Sequence, residues 1–562
     1  MNDIRRTILW VIFAFSLVML WDQWQVHNGK PATFFPSASA PAAAASSAGA
    51  AASDAASASS VPSAAAATAS PADVPAMPQA PAMPRERIEV STDVLKLVFD
   101  TEGGSIVKSE FLDYDEEGRS GQPMVLLDTS AARVYQAQSG LIGGPFPTHK
   151  TVMAFSGERQ LADGASTLVL RFESPEVGGV RLVKTYTLER GSYVIGVRHE
   201  VINQSGQPVQ PQVYVQLVRD GSSPPGGSSF YSTFTGPAFY SDEKKFQKVE
   251  FSSIDKGRAD FIARAPDGWL AMVQHYFASA WIPPEGTSRE NFARKVDGNL
   301  YAAGAIIGMG TVAPGATGAM DTRLFIGPQK EKMLEGIAPG LELVKDYGWF
   351  TILSKPLYSL LYWLHSLIGN WGWAIVALVV LLKVAFYWLN AKAYASMAKM
   401  KAINPRIMEL RERYRDKPQQ MQMEMMRIYR EEKVNPMGGC LPILIQIPVF
   451  IALYWVLLSS VEIRGAPWIL WVQDLSAKDP YFILPIVMTL TTLLQTALNP
   501  LPPDPMQAKL MWIMPLVFSV MFFFFPAGLV LYWVTNNILT IAQQWLINTR
   551  MGVPPQFNLP KF

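Results

Sequence analysis

The chain has 562 residues, a formal net charge of +2 and a mean hydropathy of +0.14, and its apolar residues crowd toward the two ends. That combination suggests membrane spans attached to a soluble domain, and the near-neutral net charge by itself says little. A single cysteine, Cys440, excludes an internal disulfide, and there is no CxxC, HExxH or GxxxxGK[ST] pattern to carry redox, zinc-protease or nucleotide-driven chemistry.

Residues 1–6 carry Arg5 and Arg6, and an apolar run from Ile8 to Trp21 follows, ending at Asp22. Basic flanks stay in the cytoplasm, so the amino terminus is expected inside. A helix over 7–24 would be about 27 Å long, just enough to span. A retained anchor and a cleaved signal peptide both fit this run. Residues 25–84 form a tether that from position 31 is almost entirely Ala, Ser and Pro. So few large apolar side chains do not offset the entropy of ordering, and a coil of this length reaches about 40 Å.

From 85 to 346 the pattern is of short β-rich runs. Val94–Phe99, Thr167–Phe172 and Tyr193–Arg198 are examples, separated by breaks such as Glu102-Gly103-Gly104 and Asn203-Gln204-Ser205-Gly206. Regular strands and turns predict an all-β sandwich, large enough to hold a core without disulfides. Over 347–369, Leu357, Leu360, Leu361, Leu364, Leu367 and Ile368 share one helical face, with Tyr358, Ser359, Tyr362 and Ser366 on the other. This predicts an amphipathic helix in the membrane interface, or one packed on the β domain.

Five apolar segments follow, at 370–390, 438–460, 481–499, 510–525 and 527–547, which with the first makes six spans. The loop 391–437 holds eleven Lys and Arg against six Asp and Glu, so it is expected in the cytoplasm, whereas 461–480 faces outward. The short loop 500–509 and the tail 548–562 then lie inside. Within the basic loop the pattern predicts two helices, 391–415 and 418–434, with Pro418 in the first turn of the second. Met421, Met423, Met425 and Met426 on this hairpin suit brief contact with varied apolar segments, or simply pack its helices together. Its basic residues, Arg411 and Arg413 among them, suit ribosomal RNA, anionic headgroups, or a solvated face obeying topology.

Lys383 lies inside the apolar run of the second span, about 9 Å of helix from its cytoplasmic end. A charge at mid-membrane costs about 2.5–3.5 kcal/mol on insertion scales. Either a wet cavity open to the cytoplasm surrounds it, or it snorkels to the interface. Gln446, Thr491, Thr492, Gln495, Thr535, Asn536, Asn537, Gln543 and Gln544 also sit in apolar segments, where each can line a groove or bond helix to helix. Pro442, Pro448, Pro485 and Pro515 bend or loosen helices and so help shape one. A cation in such a groove attracts acidic residues of a segment waiting to cross, with no covalent step, no catalytic residue and no cofactor or metal.

Three stretches carry a resemblance: Tyr394-Ala395-Ser396-Met397-Ala398-Lys399-Met400, Glu432-Lys433-Val434-Asn435-Pro436-Met437-Gly438-Gly439-Cys440 and Phe525-Pro526-Ala527-Gly528-Leu529-Val530-Leu531-Tyr532-Trp533. Asp474-Leu475-Ser476 and Asp479-Pro480-Tyr481 fit as well, with Ser91-Thr92-Asp93-Val94-Leu95 and Gly103-Gly104 as weaker local echoes. On these the chain resembles the YidC/Oxa/Alb family of membrane protein insertases, in its Gram-negative form with a large periplasmic domain. The resemblance implies an α-helical polytopic membrane bundle of six spans, five of them in the core, plus an all-β periplasmic supersandwich. It implies an uncleaved first anchor, a bacterial inner-membrane location, both termini cytoplasmic and residues 25–369 periplasmic. The implied activity is insertion and chaperoning of membrane proteins, alone and with the Sec translocon.

The implied substrate groove holds Lys383, Val379, Tyr532, Trp533, Gln446 and Gln495, with Ile447 and Phe450 as its apolar contact face. Lys383 stands where the family usually has arginine, Trp533 where tyrosine is common, and Val379 where a polar residue is usual. Implied partners are nascent membrane proteins, the bilayer, SecYEG and SecDF, and the ribosome through the hairpin. The tail after Arg550 is short and nearly uncharged, so no basic ribosome-binding tail is expected.

Overall fold

The computed structural model describes residues 60–62, 84–116, 119–224, 233–414, 417–432, 441–499 and 505–550, with Gly552 and Phe557. The expected anchor at 7–24 and nearly all of the tether lie outside them. The chain divides into two compact units, with a boundary between Asp346 and Tyr347.

In the first unit, alternation of apolar and polar residues produces strands. In β8 (Thr167–Glu173), Leu168, Leu170 and Phe172 are buried while Thr167, Val169 and Arg171 are exposed, the period-two pattern of one buried face. Nineteen described strands form two antiparallel sheets. The first runs in the order β1 (Arg87–Ser91), β2 (Leu95–Asp100), β3 (Ser105–Glu116), β6 (Val134–Ile142), β11 (Gln212–Asp220), β18 (Leu300–Gly308), β17 (Arg289–Asp297), β14 (Arg264–Ala265), with β4 (Arg119–Val125) on β3 and β5 (Asp128–Thr129) on β6. The second runs β13 (Lys245–Lys248), β12 (Gly236–Ser241), β15 (Trp269–Val273), β16 (Phe277–Ile282), β19 (Thr317–Pro328), β10 (Val194–Asn203), β9 (Val180–Glu189), β8, β7 (Ala154–Gly157). Two short helices, α1 (Phe251–Asp255) and α2 (Glu331–Ile337), accompany them. The break at Gly103 requires glycine: its φ is +74°, and a Cβ there would fall 2.4 Å from the His149 carbonyl oxygen.

Between the sheets lies an aromatic cluster, Phe99, Phe172 and Tyr186, with centroids 5.0–5.7 Å apart, each such ring contributing about 1.5–3 kcal/mol of burial. Polar side chains tie one sheet to the other. Tyr135 Oη on β6 meets Ser279 Oγ on β16 at 2.6 Å, and Trp281 Nε1 donates to Gln216 O at 3.1 Å. Lys184 on β9, fully buried, donates to Gly103 O and Ser139 O, both at 2.6 Å, and His199 Nε2 on β10 meets Ser139 Oγ at 2.9 Å.

Burial, reinforced by the nearby Lys184 charge, holds His199 down at about 3, and burial holds Lys184 down at about 7. Both groups therefore bind a proton more weakly in the folded chain than in the unfolded one. His199 costs nothing above about pH 6.5, and its penalty grows as pH falls from there toward 3, at about 1.4 kcal/mol per unit. The Lys184 penalty is complete below about 7 and is relieved as pH rises toward its unfolded value. Stability of this domain should thus rise with pH. Urea unfolding between about pH 4 and 6.5 checks this: His199→Gln should flatten the profile, and an unchanged slope would refute the assignment.

The second unit is helical: α3 (Thr351–Ile368), α4 (Trp371–Ala385), α5 (Tyr387–Arg413), α6 (Pro418–Glu431), α7 (Leu441–Ser459), α8 (Ile483–Leu498), α9 (Pro505–Phe522) and α10 (Ala527–Arg550). Gly369, at φ +75°, ends α3, and Asn370 caps α4 by accepting from Trp373 N at 3.1 Å. The face of α3 differs from the expected one. Ser354, Tyr358, Leu361 and Leu364 are buried, while Leu367 and Ile368 are exposed. Tyr358 can turn inward because its hydroxyl donates to Glu462 at 2.6 Å. Ser354 Oγ reaches Ala452 O on α7 at 3.3 Å, so α3 packs on the helices of its own unit.

No single described helix is long and apolar enough to cross a membrane. The pair Trp371–Ala385 and Tyr387–Ser396 is, but it bends by 63°. The continuous segment expected over 370–390 therefore breaks at Phe386, and the hairpin helix starts at Tyr387 instead of 391. α6 does begin at Pro418. The outer surface is strongly apolar: on α9, Ile513, Met514, Leu516, Val517, Phe518, Val520 and Met521 are all exposed. A continuous surface of this kind is unfavourable against water and suits lipid.

Candidate functional site

One face of α4 presents Val379, Leu382 and Lys383, spaced i, i+3 and i+4, and Phe386, at the break just past its end, joins them. α7 adds Gln446, Ile447, Val449 and Phe450, and α10 adds Tyr532, Trp533 and Asn536. Together they line a pocket of about 210 Å³. Seven of the eight groove residues named from the sequence meet here; Gln495, on α8, is not among the lining residues.

Lys383 enters the pocket half-buried. Its Nζ donates to Thr540 Oγ1 at 2.7 Å. That hydroxyl donates its own proton to Asn536 O at 2.6 Å, leaving a lone pair for the ammonium. Among the described residues no carboxylate pairs with Lys383. A cation without a counter-ion keeps its field available to whatever enters the pocket.

A polar chain continues past the lysine. Gln446 Nε2 donates to Asn390 Oδ1 at 3.1 Å, and Asn390 Nδ2 to Gln543 Oε1 at 3.2 Å. The other polar side chains of α10 do something different. Asn537 donates to Thr491 and Thr492 at 3.2 and 2.9 Å, and Gln544 to Leu498 O and Asn499. These bonds tie α10 to α8 and its C-terminal end.

Asn390 and Thr540 escaped the sequence reading. A signal for Thr540 was present: Asn536, Thr540 and Gln543 recur at i, i+4 and i+7. The far side of the pocket is aromatic. Phe450 meets Trp533 edge-on at 4.5 Å and lies against Tyr532 at 5.9 Å, while Phe522 backs Trp533 at 5.1 Å.

The hairpin packs through Ile403, Ile407 and Ile428, with Met425 against them. Met423 and Met426 are exposed, Met421 is half-buried, and Arg413 is exposed. The side chain of Arg411 lies outside the described set. The methionines thus divide between packing and an open face.

Residues 87–360 match the family model described as the YidC periplasmic domain, and 363–553 match that of the 60Kd inner membrane protein. The membrane protein insertase YidC of Bordetella petrii is 55% identical over 98% of this chain and 98% of its own. That of Bordetella avium is 56% identical over 97% and 98%. A solved structure of an active YidC insertase, with its first transmembrane domain resolved, covers 81% of this chain and 91% of its own at 20% identity and TM-score 0.39. Identity above half, sustained over nearly the full length of both chains, means that this chain belongs to the family of the membrane protein insertase YidC.

Proposed function

We propose that the chain inserts and folds inner-membrane proteins through the pocket between α4, α7 and α10, both independently of the Sec translocon and beside it. The observation that carries this reading is the Lys383 ammonium, held by a single threonine hydroxyl in a pocket whose other wall is aromatic. Its field attracts acidic side chains of a short segment waiting to cross. Water around the lysine shortens the apolar distance that the segment must travel, and hence its desolvation penalty. Ile447 and Phe450 then receive the apolar part, which moves on into lipid.

In this reading 370–390, 438–460, 481–499, 510–525 and 527–547 cross the membrane after an anchor at 7–24, both termini are cytoplasmic, and 25–369 is periplasmic. The exposed Met423 and Met426 meet incoming segments or the ribosome from the cytoplasmic side. Gln495 does not line the pocket, and this reading gives it no contact with substrate there.

Photo-crosslinking tests the route. A photoreactive phenylalanine at position 450 should capture a ribosome-stalled single-span protein, and one at Val517, on the exposed face of α9, should not. Equal capture at both positions would mean that substrates do not enter this pocket.

A further inference from the structure

A second site lies in the β domain, on the side of the first sheet that faces away from the second sheet. On β6 and β11, Ser139, Val215 and Leu217 point between the sheets, so their neighbours Gln138, Gly140, Tyr214 and Gln216 point the other way. Phe292 and Arg294 on β17, and Ala302, Gly304 and Ile306 on β18, continue that face. Two glycines hollow it. A Cβ at Gly140 would meet Tyr214 Oη at 2.6 Å, and one at Gly304 would meet the Phe292 ring at 2.3 Å.

The hollow is occupied by Ser60-Val61-Pro62 of the chain's own tether. Arg294 Nη2 donates to Ser60 O at 3.0 Å, and Gln216 Nε2 to the same oxygen at 3.3 Å. His149 Nε2 lies 3.2 Å from Ser60 Oγ. Tyr214 Oη accepts from His149 N at 3.0 Å and sits 2.6 Å from His149 Nδ1. With the Tyr214 proton on that bond, the imidazole carries its hydrogen on Nε2, aimed at the serine. Val61 packs with Ile142, Tyr214, Ile306 and Phe292, and Pro62 is buried. In a tether built of Ala, Ser and Pro, Val61 is one of the few large apolar residues.

We propose that this face is a peptide-binding site for a short hydroxyl–valine–proline segment, and that residues 60–62 fill it in cis as a displaceable occupant. Arg294 and Gln216 read the backbone carbonyl before the valine, His149 reads the hydroxyl, and the hollow beside Phe292 and Ile306 takes the valine.

The test uses the full-length protein with Cys440→Ser, which removes its only cysteine. A short bis-maleimide should bridge Ser63→Cys, beside the seated segment, to Glu290→Cys, the neighbour of Ile306 on β17, at least about tenfold faster than it bridges Val74→Cys to Glu290→Cys, because seating raises the local concentration and both variants keep Val61 and Ile306. Arg294→Ala should slow the 63–290 bridge about fivefold, and Arg294→Lys less. The tethered copy acts at an effective concentration of millimolar order, so the free peptide Ala-Ser-Ser-Val-Pro-Ser at about 10 mM should slow bridging, and the same peptide with Asp for Val should not. Equal rates for positions 63 and 74 would overturn the seat. Bridging indifferent to the valine peptide would overturn the displaceable site. If Arg294→Ala lowers the melting temperature, the ratio of the two bridging rates in the parent still decides the first point.

Discussion

Lys383→Glu is expected to abolish insertion of a Sec-independent, single-span substrate with acidic residues in its translocated segment, in proteoliposomes that contain this protein alone. The ammonium and an entering carboxylate about 4 Å apart attract by about 4 kcal/mol at the effective dielectric near a protein surface. Reversing the charge turns that attraction into repulsion, and each 1.4 kcal/mol is a factor of ten. A fall of at least about 100-fold is therefore expected, before counting the desolvation of a carboxylate beside Phe450 and Trp533. Lys383→Arg keeps the charge and should keep most of the activity. A substrate whose translocated segment lacks acidic residues should lose far less, which separates electrostatic attraction from general damage. Undiminished insertion of the acidic substrate by the Lys383→Glu protein would sink the pocket mechanism.

Asp479→Ala should produce the second large effect, on stability. The carboxylate is 2% exposed and accepts from Trp471 Nε1 at 3.1 Å, Tyr481 N at 3.0 Å and Leu484 N at 2.7 Å. The last of these bonds satisfies a first-turn donor of α8, as a capping side chain does. Alanine leaves the buried Leu484 N and the part-buried Trp471 Nε1 and Tyr481 N without this acceptor, a loss of about 2–3 kcal/mol, most of it from the cap. Because α8 holds α10 through Asn537, loosening it also loosens the wall that carries Tyr532, Trp533 and Thr540. Thermal unfolding in detergent should show a clear fall in melting temperature for Asp479→Ala and a smaller one for Asp479→Asn, which keeps one acceptor oxygen. An alanine variant that melts with the parent would leave Asp479 without a stabilising role.

Much of the architecture was legible before any fold was known. The runs at 94–99, 167–172 and 193–198 announced β2, β8 and β10, because strand alternation and turn residues are local properties. Pro418 marked the start of α6 for the same reason, since its fixed φ suits a first helical turn. Lys383 stood out because a charge in an apolar run carries a desolvation penalty visible in composition alone.

Other features depended on residues far apart in the chain. Thr540 meets Lys383 from 157 positions away, and Asn390 joins Gln446 to Gln543 across three helices. The hydroxyl that a lysine finds is set by the relative rotation and height of packed helices, which no single helix encodes. Tyr358 turned inward against its expected face because Glu462 waited 104 positions later. The sandwich bridges at Lys184 and His199, and the seat of Ser60–Pro62 beneath Arg294, are of the same kind. The sequence by itself determined which of the described segments are strand and which are helix, and that a cation sits among apolar residues, because backbone periodicity and desolvation act within a few residues. Which polar atoms meet was decided only when the sheets and helices packed, because a hydrogen bond needs its partners placed within a few tenths of an ångström.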